Sequence, residues 1–316
     1  MTRAFLFPGQ GSQAVGMGQA LAASFPAARL VFEEVNEALK QKLSKLMFEG
    51  PEADLTLTEN AQPALMAVSV AVLRVLEGEG HFRLADKVAY VAGHSLGEYS
   101  ALAAAGALGL SDAARLLKLR GQAMQKAVPV GAGAMAALLG PELEQVQKIA
   151  QQAAAETKLV CGVANDNSPG QVVVSGAKEA VERAMAIAAE QGVKRSVLLP
   201  VSAPFHCALM QPAADAMQEA LAKTRINQPV VPVVANVTAQ PVSDPATIAK
   251  LLVTQVTATV RWRESVLAMK ALGVSKAIEL GAGKVLAGLV KRIDKEIEAS
   301  SVGAPADVEA ALKALV

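Results

Sequence analysis

The stretch KVAYVAGHSLGEYSALAAAGALGL, from Lys87 to Leu110, constrains the fold more than any other. A short apolar strand pattern over Val88–Ala92 gives way to a segment of small helix-forming residues, and the turn between them holds Ser95 between Gly93 and Gly97. A G-x-S-x-G at a strand-to-helix turn lifts a serine to the carboxyl edge of a sheet. The small flanking residues let the backbone bend, and the N–H of the next residue, Leu96, can face a developing oxyanion. The pentapeptide alone does not separate a nucleophile from an ordinary Gly-Ser-Gly turn capping a helix. The strand before it and the helix after it favour the nucleophile.

The rest of the chain supplies a sheet for such a turn. Ala4–Phe7 reads as a short buried strand ended by PGQGSQ; residues 13–49 read as mostly helical, and Asn60–Leu76 as an apolar-faced helix. Ser111 is placed to N-cap the helix SDAARLLKLRGQAMQKA. The texture then changes. A Gly/Ala-rich strand, a helix at 141–156, a strand near Val160, NDNSPG as a turn, the strand QVVVSG, a helix at 177–191 and the strand KRSVLL follow in order. That β-α-β-β-α-β order is the split βαβ, or ferredoxin-like, unit. Residues 130–199 are therefore expected to form a small inserted α+β subdomain. The host resumes with helices at 208–224, 245–256 and 262–272, the strands PVVANV and KAIELG, and the helix KVLAGLVKRI. Alternating strands and helices predict a large α/β domain, residues 1–129 and 200–316, with a hydrolase-like, mainly parallel sheet.

Composition narrows the function. Aromatic residues make up 3% of the 316 and the net charge is +1, which argues against a base-stacking nucleic-acid platform and against a strong field steering the chain to nucleic acid or anionic membrane. Cys161 and Cys207 form no CxxC and suit reduced thiols in a cytoplasmic compartment. The N-terminal apolar run is too short and too broken for a signal peptide, and no charge-free run of membrane length is expected to act as a span.

A nucleophilic serine needs a base, and the chain holds three histidines. His94 adjoins Ser95, and neighbours on a tight turn point apart; His81 lies in the polar stretch GEGHFRLAD. His206, in VSAPFHCALM, follows a strand, opens a helix and lies C-terminal to the serine, the chain order of hydrolase-type sites. Elimination leaves His206 as the base, with His94 as a supporting neighbour. No carboxylate stands out as the group that orients the imidazole, a task a backbone carbonyl can also perform. In FPGQGSQ, Gln10 sits where its N–H could complete an oxyanion hole, although an ordinary tight turn reads the same. GAGK at 281–284 is not a P-loop, because Ile278 and Val285 stand at required positions. No metal-ligating constellation is expected. Arg115 and Arg120 lie on different sides of one helix, and residue spacing does not say which reaches the cleft as a carboxylate clamp.

Seven segments in order, FPGQGSQAVGMG, NAQPAL, GHSLGEYSALAAAGAL, RGQAMQKAVPVGAGAMAALLG, NDNSPGQVVVSG, LPVSAPFHCALM and GAGKVLAGLVKRI, resemble the malonyl-CoA:acyl-carrier-protein transacylases of type II fatty-acid synthesis. The resemblance implies a ping-pong transfer of malonyl from malonyl-CoA to the phosphopantetheine thiol of acyl carrier protein, by a cytoplasmic monomer with no cofactor of its own. It implies Ser95 as nucleophile, His206 as base, the N–H groups of Gln10 and Leu96 as oxyanion donors, and Arg120 as partner of the malonyl carboxylate. It also places Gln255, in LLVTQVTATVRW, where the family has a glutamine whose backbone carbonyl orients the histidine.

Two departures stand out: Ala258-Thr259, where relatives often carry Asn-Pro, which could reseat the Gln255 loop, and GAGK for GPGK. By the same resemblance, bulky Phe205 beside the α-carbon accompanies malonyl over methylmalonyl, a preference that one methyl group limits to about 1–3 kcal/mol. Lys284, Lys291, Arg292 and Lys295 are candidates for a basic patch facing an acidic carrier protein. Three rivals share parts of this reading: a serine thioesterase, a malonyltransferase of a polyketide or malonate decarboxylase pathway, and a noncatalytic acyl-CoA-binding protein.

Overall fold

The computed structural model describes residues 2–315. Ten strands fall in two sheets. β1 (Thr2–Phe7), β2 (Tyr90–Gly93), β7 (Val233–Val234), β8 (Pro241–Val242), β9 (Val274–Leu280) and β10 (Glu298–Val302) form one sheet in the order β10-β9-β1-β2-β7-β8. All its pairings are parallel except the short β7–β8 pair. β1 lies at its centre, and its alternating side chains feed two cores, as the two-residue period of a strand requires. Phe5 and Phe7 pack among Leu65, Leu102 and their neighbours. Ala4 and Leu6 pack on the opposite face with Trp262 and Leu286. The helix Thr58–Gly80 is long and apolar enough to cross a membrane by composition, but 83% of its most apolar window is buried in the first of these cores.

β3 (Gly133–Leu139), β4 (Cys161–Ser168), β5 (Gln171–Ala177) and β6 (Arg195–Leu198) form the second sheet, in the order β4-β5-β3-β6 and antiparallel throughout. With the helices Leu143–Thr157 and Lys178–Glu190 on one face, this is the ferredoxin-like arrangement expected from the element order. The two sheets are stitched along one line. Asn165 bridges Val260, Asp166 N–H donates to the Val260 carbonyl, and Arg263 Nε donates to Asp166 Oδ2 at 3.1 Å.

The structure corrects three local expectations. The helix that SDAARLLKLRGQAMQKA forms starts at Leu110 with Gly109 as its N-cap; Ser111, expected to cap it, donates its hydroxyl to Glu34 instead. Asn165–Ser168, expected in a turn, belong to β4, whose ladder with β5 is irregular on both sides of Asp166; the turn is only Pro169-Gly170. The polar NDN run looks like turn sequence because a bulged strand at a cleft also takes polar side chains. Finally, the strand expected over PVVANV is two residues long, because Asn236 leaves the ladder to hydrogen-bond the elbow.

Candidate active site

Ser95 sits at the carboxyl end of β2 with φ 52° and ψ −111°, outside the regions a non-glycine residue prefers. The turn is possible because Gly93 and Gly97 are in contact: a Cβ on Gly93 would lie 1.9 Å from Gly97, and one on Gly97 would lie 2.2 Å from the Phe7 carbonyl. Asn236 clamps the corner. Its Oδ1 accepts from Ser95 N–H at 2.8 Å, and its Nδ2 donates to the Gly93 carbonyl at 2.7 Å.

His206 is buried and also has a left-handed backbone, φ 56°. Its Nε2 lies 2.8 Å from Ser95 Oγ, and its Nδ1 lies 2.9 Å from the Gln255 carbonyl oxygen. The carbonyl can only accept, so Nδ1 carries the proton and Nε2 presents its lone pair to the serine hydroxyl. Burial pushes the imidazole down to about 3, and the positive charge of Arg120 adds to that fall. His206 is therefore neutral at ordinary pH. Gln255 reaches it although Ala258-Thr259 replaces Asn-Pro in the loop. Thr259 Oγ1 donates to the Val163 carbonyl of β4 at 2.6 Å, a tie that proline could not make.

Arg120 is buried to 1% exposure and points at the serine. Nη1 donates to Gln62 Oε1 at 2.8 Å, and Nη2 donates to Gln255 Oε1 at 2.8 Å and to Ser95 Oγ at 3.1 Å. Its guanidinium carbon stands 5.6 Å from the Tyr99 ring centroid. Arg115 is exposed and paired with Asp112, so of the two it is Arg120 that reaches the cleft. A buried guanidinium with only neutral hydrogen-bond partners is a strong site for an incoming carboxylate.

The cleft between the two sheets holds about 410 Å³, within the range of small-molecule sites, and Gln10, Leu96, Phe205 and His206 line it with Ser95 and Arg120. Leu96 opens the helix Leu96–Ala104, so its N–H is among the first-turn donors without an intrahelical acceptor, at the positive end of the helix dipole. Gln10 follows β1 on the adjacent loop, and its side-chain Nε2 donates to Thr58 Oγ1 at 3.0 Å. Phe205 is 8% exposed on the cleft wall beside His206. His94 turns away from the serine: its Nε2 lies 2.8 Å from Asn167 Oδ1 on β4, and burial lowers its pKa. His81 lies after the end of the Thr58–Gly80 helix and does not line the cleft.

Sequence reasoning missed Gln62, Asn236, Asn167 and Glu98. Glu98 carried a legible signal, as the one acid in the otherwise small and apolar helix LGEYSALAA. It is 2% exposed; its Oε2 accepts from Gln255 Nε2 at 2.8 Å and from Asn236 N–H at 3.0 Å. Among the described residues, no three His, Cys, Asp or Glu side chains converge as a metal site would require.

A strained serine on a strand-to-helix elbow, a neutral histidine oriented by a carbonyl and a buried arginine beside them define an acyl-transfer site. Comparison with known proteins agrees. Residues 4–306 match the model of the acyl transferase domain family. A curated relative from Bacillus subtilis strain 168, named malonyl CoA-acyl carrier protein transacylase, is 46% identical over 99% of this chain and 96% of its own. Its namesake from Escherichia coli K12 is 48% identical over 98% of both chains. The solved acyl-carrier-protein-S-malonyltransferase of Bartonella henselae is 56% identical, covers 100% of this chain and 99% of its own, and superposes with a TM-score of 0.97. A malonyl-transacylase solved in complex with a type II PKS acyl-carrier protein has a TM-score of 0.95 at 42% identity, covering 99% of this chain and 100% of its own. The chain belongs to the acyl transferase domain family and, within it, to the malonyl CoA-acyl carrier protein transacylases.

Proposed function

We propose that this enzyme transfers malonyl from malonyl-CoA to the phosphopantetheine thiol of acyl carrier protein through a malonyl ester on Ser95, supplying fatty-acid elongation. One observation carries the reading: Ser95 Oγ is shared by His206 Nε2 at 2.8 Å and Arg120 Nη2 at 3.1 Å, so base, nucleophile and carboxylate partner meet at one oxygen.

His206 Nε2 takes the Ser95 proton as Oγ attacks the thioester carbonyl carbon. The N–H groups of Leu96 and Gln10 receive the oxyanion. The C–S bond breaks, and the CoA thiolate leaves with the proton from His206. Arg120 pairs with the malonyl carboxylate, and that negative charge also relieves the repulsion that depresses His206, so the base strengthens when the proper acyl group is bound. The carrier's thiol then gives its proton to His206 and attacks the ester carbonyl; the C–Oγ bond breaks, and His206 returns the proton to Ser95 Oγ. Phe205 narrows the wall against an α-methyl. His94, held by Asn167, supports the elbow from behind. The cycle uses no resident cofactor or metal and runs in the cytoplasm. Residues 130–199 act as a subdomain that walls the cleft, set into the host at 129 and 200. Lys284, Lys291, Arg292 and Lys295 are exposed on and beside the helix Val285–Ile293, as an acidic carrier would require. A polyketide carrier is the second reading of the acceptor, favoured by the complex of that kind on the same fold.

Intact-mass spectra after brief mixing with malonyl-CoA, then with holo carrier protein, test this. The expected result is a gain of one malonyl group, absent in Ser95→Ala, passed to the carrier, and passed more slowly after Lys291→Glu with Arg292→Glu. Parallel runs with a fatty-acid and a polyketide carrier identify the acceptor. Label that decays equally fast without a carrier would make the protein a thioesterase.

A further inference from the structure

The arginine beside Ser95 is aimed by a side chain that must itself be aimed. Gln255 is fully buried, and its amide is used at both ends. Oε1 accepts from Arg120 Nη2 at 2.8 Å; Nε2 donates to the Ser95 carbonyl at 3.0 Å and to Glu98 Oε2 at 2.8 Å. A half-turn of the amide would keep its shape and place NH2 against the guanidinium, donor against donor. Arg120 would then lose one of its three acceptors, the one that brings Nη2 to Ser95.

Three acceptors oppose that half-turn: the Ser95 carbonyl, Glu98 and, at a longer 3.4 Å, Asn236 Oδ1. The carbonyl is fixed by the elbow. Glu98 Oε2 faces two donors, Gln255 Nε2 and Asn236 N–H, so this oxygen accepts whether or not the carboxyl is ionised. Asn236 also holds Ser95 N–H and the Gly93 carbonyl, so a single carboxyl oxygen ties the corner of the nucleophile to the amide behind the arginine. Glu98 meets Arg120 only through the field between their charges and does not line the cleft, so it acts on the site from behind. A buried carboxyl is costly unless its acceptors are filled. Here the acceptor is filled by the two groups that set the site's geometry, where an apolar residue would suffice for packing alone.

We propose that Glu98 is the positioning residue for acyl-group selection: by fixing the orientation of the Gln255 amide, it holds the Arg120 guanidinium against Ser95 and so favours acyl groups that end in a free carboxylate. The proposal rests on Arg120 as the carboxylate partner. It separates two tasks within Gln255, whose backbone carbonyl serves His206 and whose side chain serves Arg120.

The test is the ratio of malonyl to acetyl labelling of Ser95, read by intact mass from the two CoA thioesters, with folding followed by thermal unfolding. Glu98→Met fills the same space without an acceptor. Its ratio is expected to fall about tenfold, through a larger loss of malonyl than of acetyl labelling, the factor that one hydrogen bond to a charged group commands. Glu98→Gln keeps one acceptor oxygen, without the carboxylate charge, and is expected to lose only about threefold. A folded Glu98→Met that keeps the ratio, or loses both labels alike, overturns the proposal, since a purely structural role predicts the latter. Should Glu98→Met fail to fold, the decision passes to Glu98→Gln, and an unchanged ratio there overturns it. Arg120→Ala separates the two layers. If it keeps the preference, the carboxylate clamp falls and the Glu98 proposal falls with it; if it loses the preference while Glu98→Met does not, only the Glu98 proposal falls.

Discussion

The two sheets share one cleft and divide its labour unequally. The parallel sheet contributes Ser95 and Leu96 at the carboxyl end of β2 and Gln10 just after β1, where open α/β sheets bind ligands, while Arg120 reaches in from the helix Leu110–Ala127 and His206 from the segment after β6. The antiparallel sheet contributes wall and props: Met135 and Asn165 line the cleft, and Asn167 holds His94. The packing differs accordingly. At the edge of the parallel sheet, backbones touch at Gly93 and Gly97, and Asn236 bonds both sides of the corner. On β4 of the small sheet, by contrast, a Cβ at Gly162 would meet nothing within 4 Å. The tight contact at the elbow holds atoms in place for chemistry, and Gly162 stands outside that demand.

Adding one methyl group tests the tight side hardest. Gly93→Ala puts a Cβ 1.9 Å from the backbone of Gly97, with no flexible side chain to yield. The expected cost is about 3–5 kcal/mol of stability, with loss of Ser95 labelling, measured by denaturant unfolding and intact mass. Wild-type stability there would mean that the elbow can relax and that the difference between the sheets is not one of packing.

The buried polar groups on the tight side also bind stability to pH. His206 sits at about 3 in the folded chain, below its ordinary 6.5, because burial and Arg120 disfavour its charged form. The unfolded chain therefore binds the extra proton first. The stability that neutral His206 contributes is complete above about pH 6.5 and is lost as pH falls toward the folded value. At about pH 4.5 the loss is on the order of 2–3 kcal/mol. Glu98 works in the opposite direction. Burial raises it to about 7, so acidification below that value relieves strain instead of adding it. Unfolding curves of wild type and His206→Gln between pH 7.5 and 4.5 isolate the histidine. The variant is expected to lose less stability on acidification, and parallel curves would place His206 in a wetter setting than its 4% exposure implies.

The same division explains how much could be read from sequence. The elbow, the alternation of strands and helices and the split βαβ order were legible because each is a local pattern with a fixed period. The histidine that meets Ser95 was legible because three histidines allow elimination. The network that aims the groups was not. Gln62, Asn236 and the side-chain bonds of Gln255 and Glu98 come from four separate segments and meet only in the folded chain; the Gln255 carbonyl was placed by family resemblance alone, since a backbone carbonyl leaves no trace in residue type. The absent acid partner of His206 had suggested a carbonyl. The structure supplies that carbonyl and also a buried acid, one residue further back, acting on the side chain of the same glutamine. β10 and the final helix Pro305–Leu315 went unread.

The smallest effect is the most telling, because it repeats the first substitution with the opposite sign. Gly162 lies in β4, an outer strand of the small sheet, and a Cβ there would meet nothing within 4 Å. Its φ lies outside the left-handed range, so alanine fits the backbone without strain. Glycine also leaves the unfolded chain more freedom than alanine does, and that freedom is lost on folding. Gly162→Ala is therefore expected to stabilise the protein by about 0.4–1 kcal/mol and to leave malonyl labelling at the wild-type rate, read from the same unfolding and mass measurements. A loss of stability near that of Gly93→Ala would show that β4 is packed as tightly as the elbow. The contrast drawn between the elbow and the outer strand would then fail.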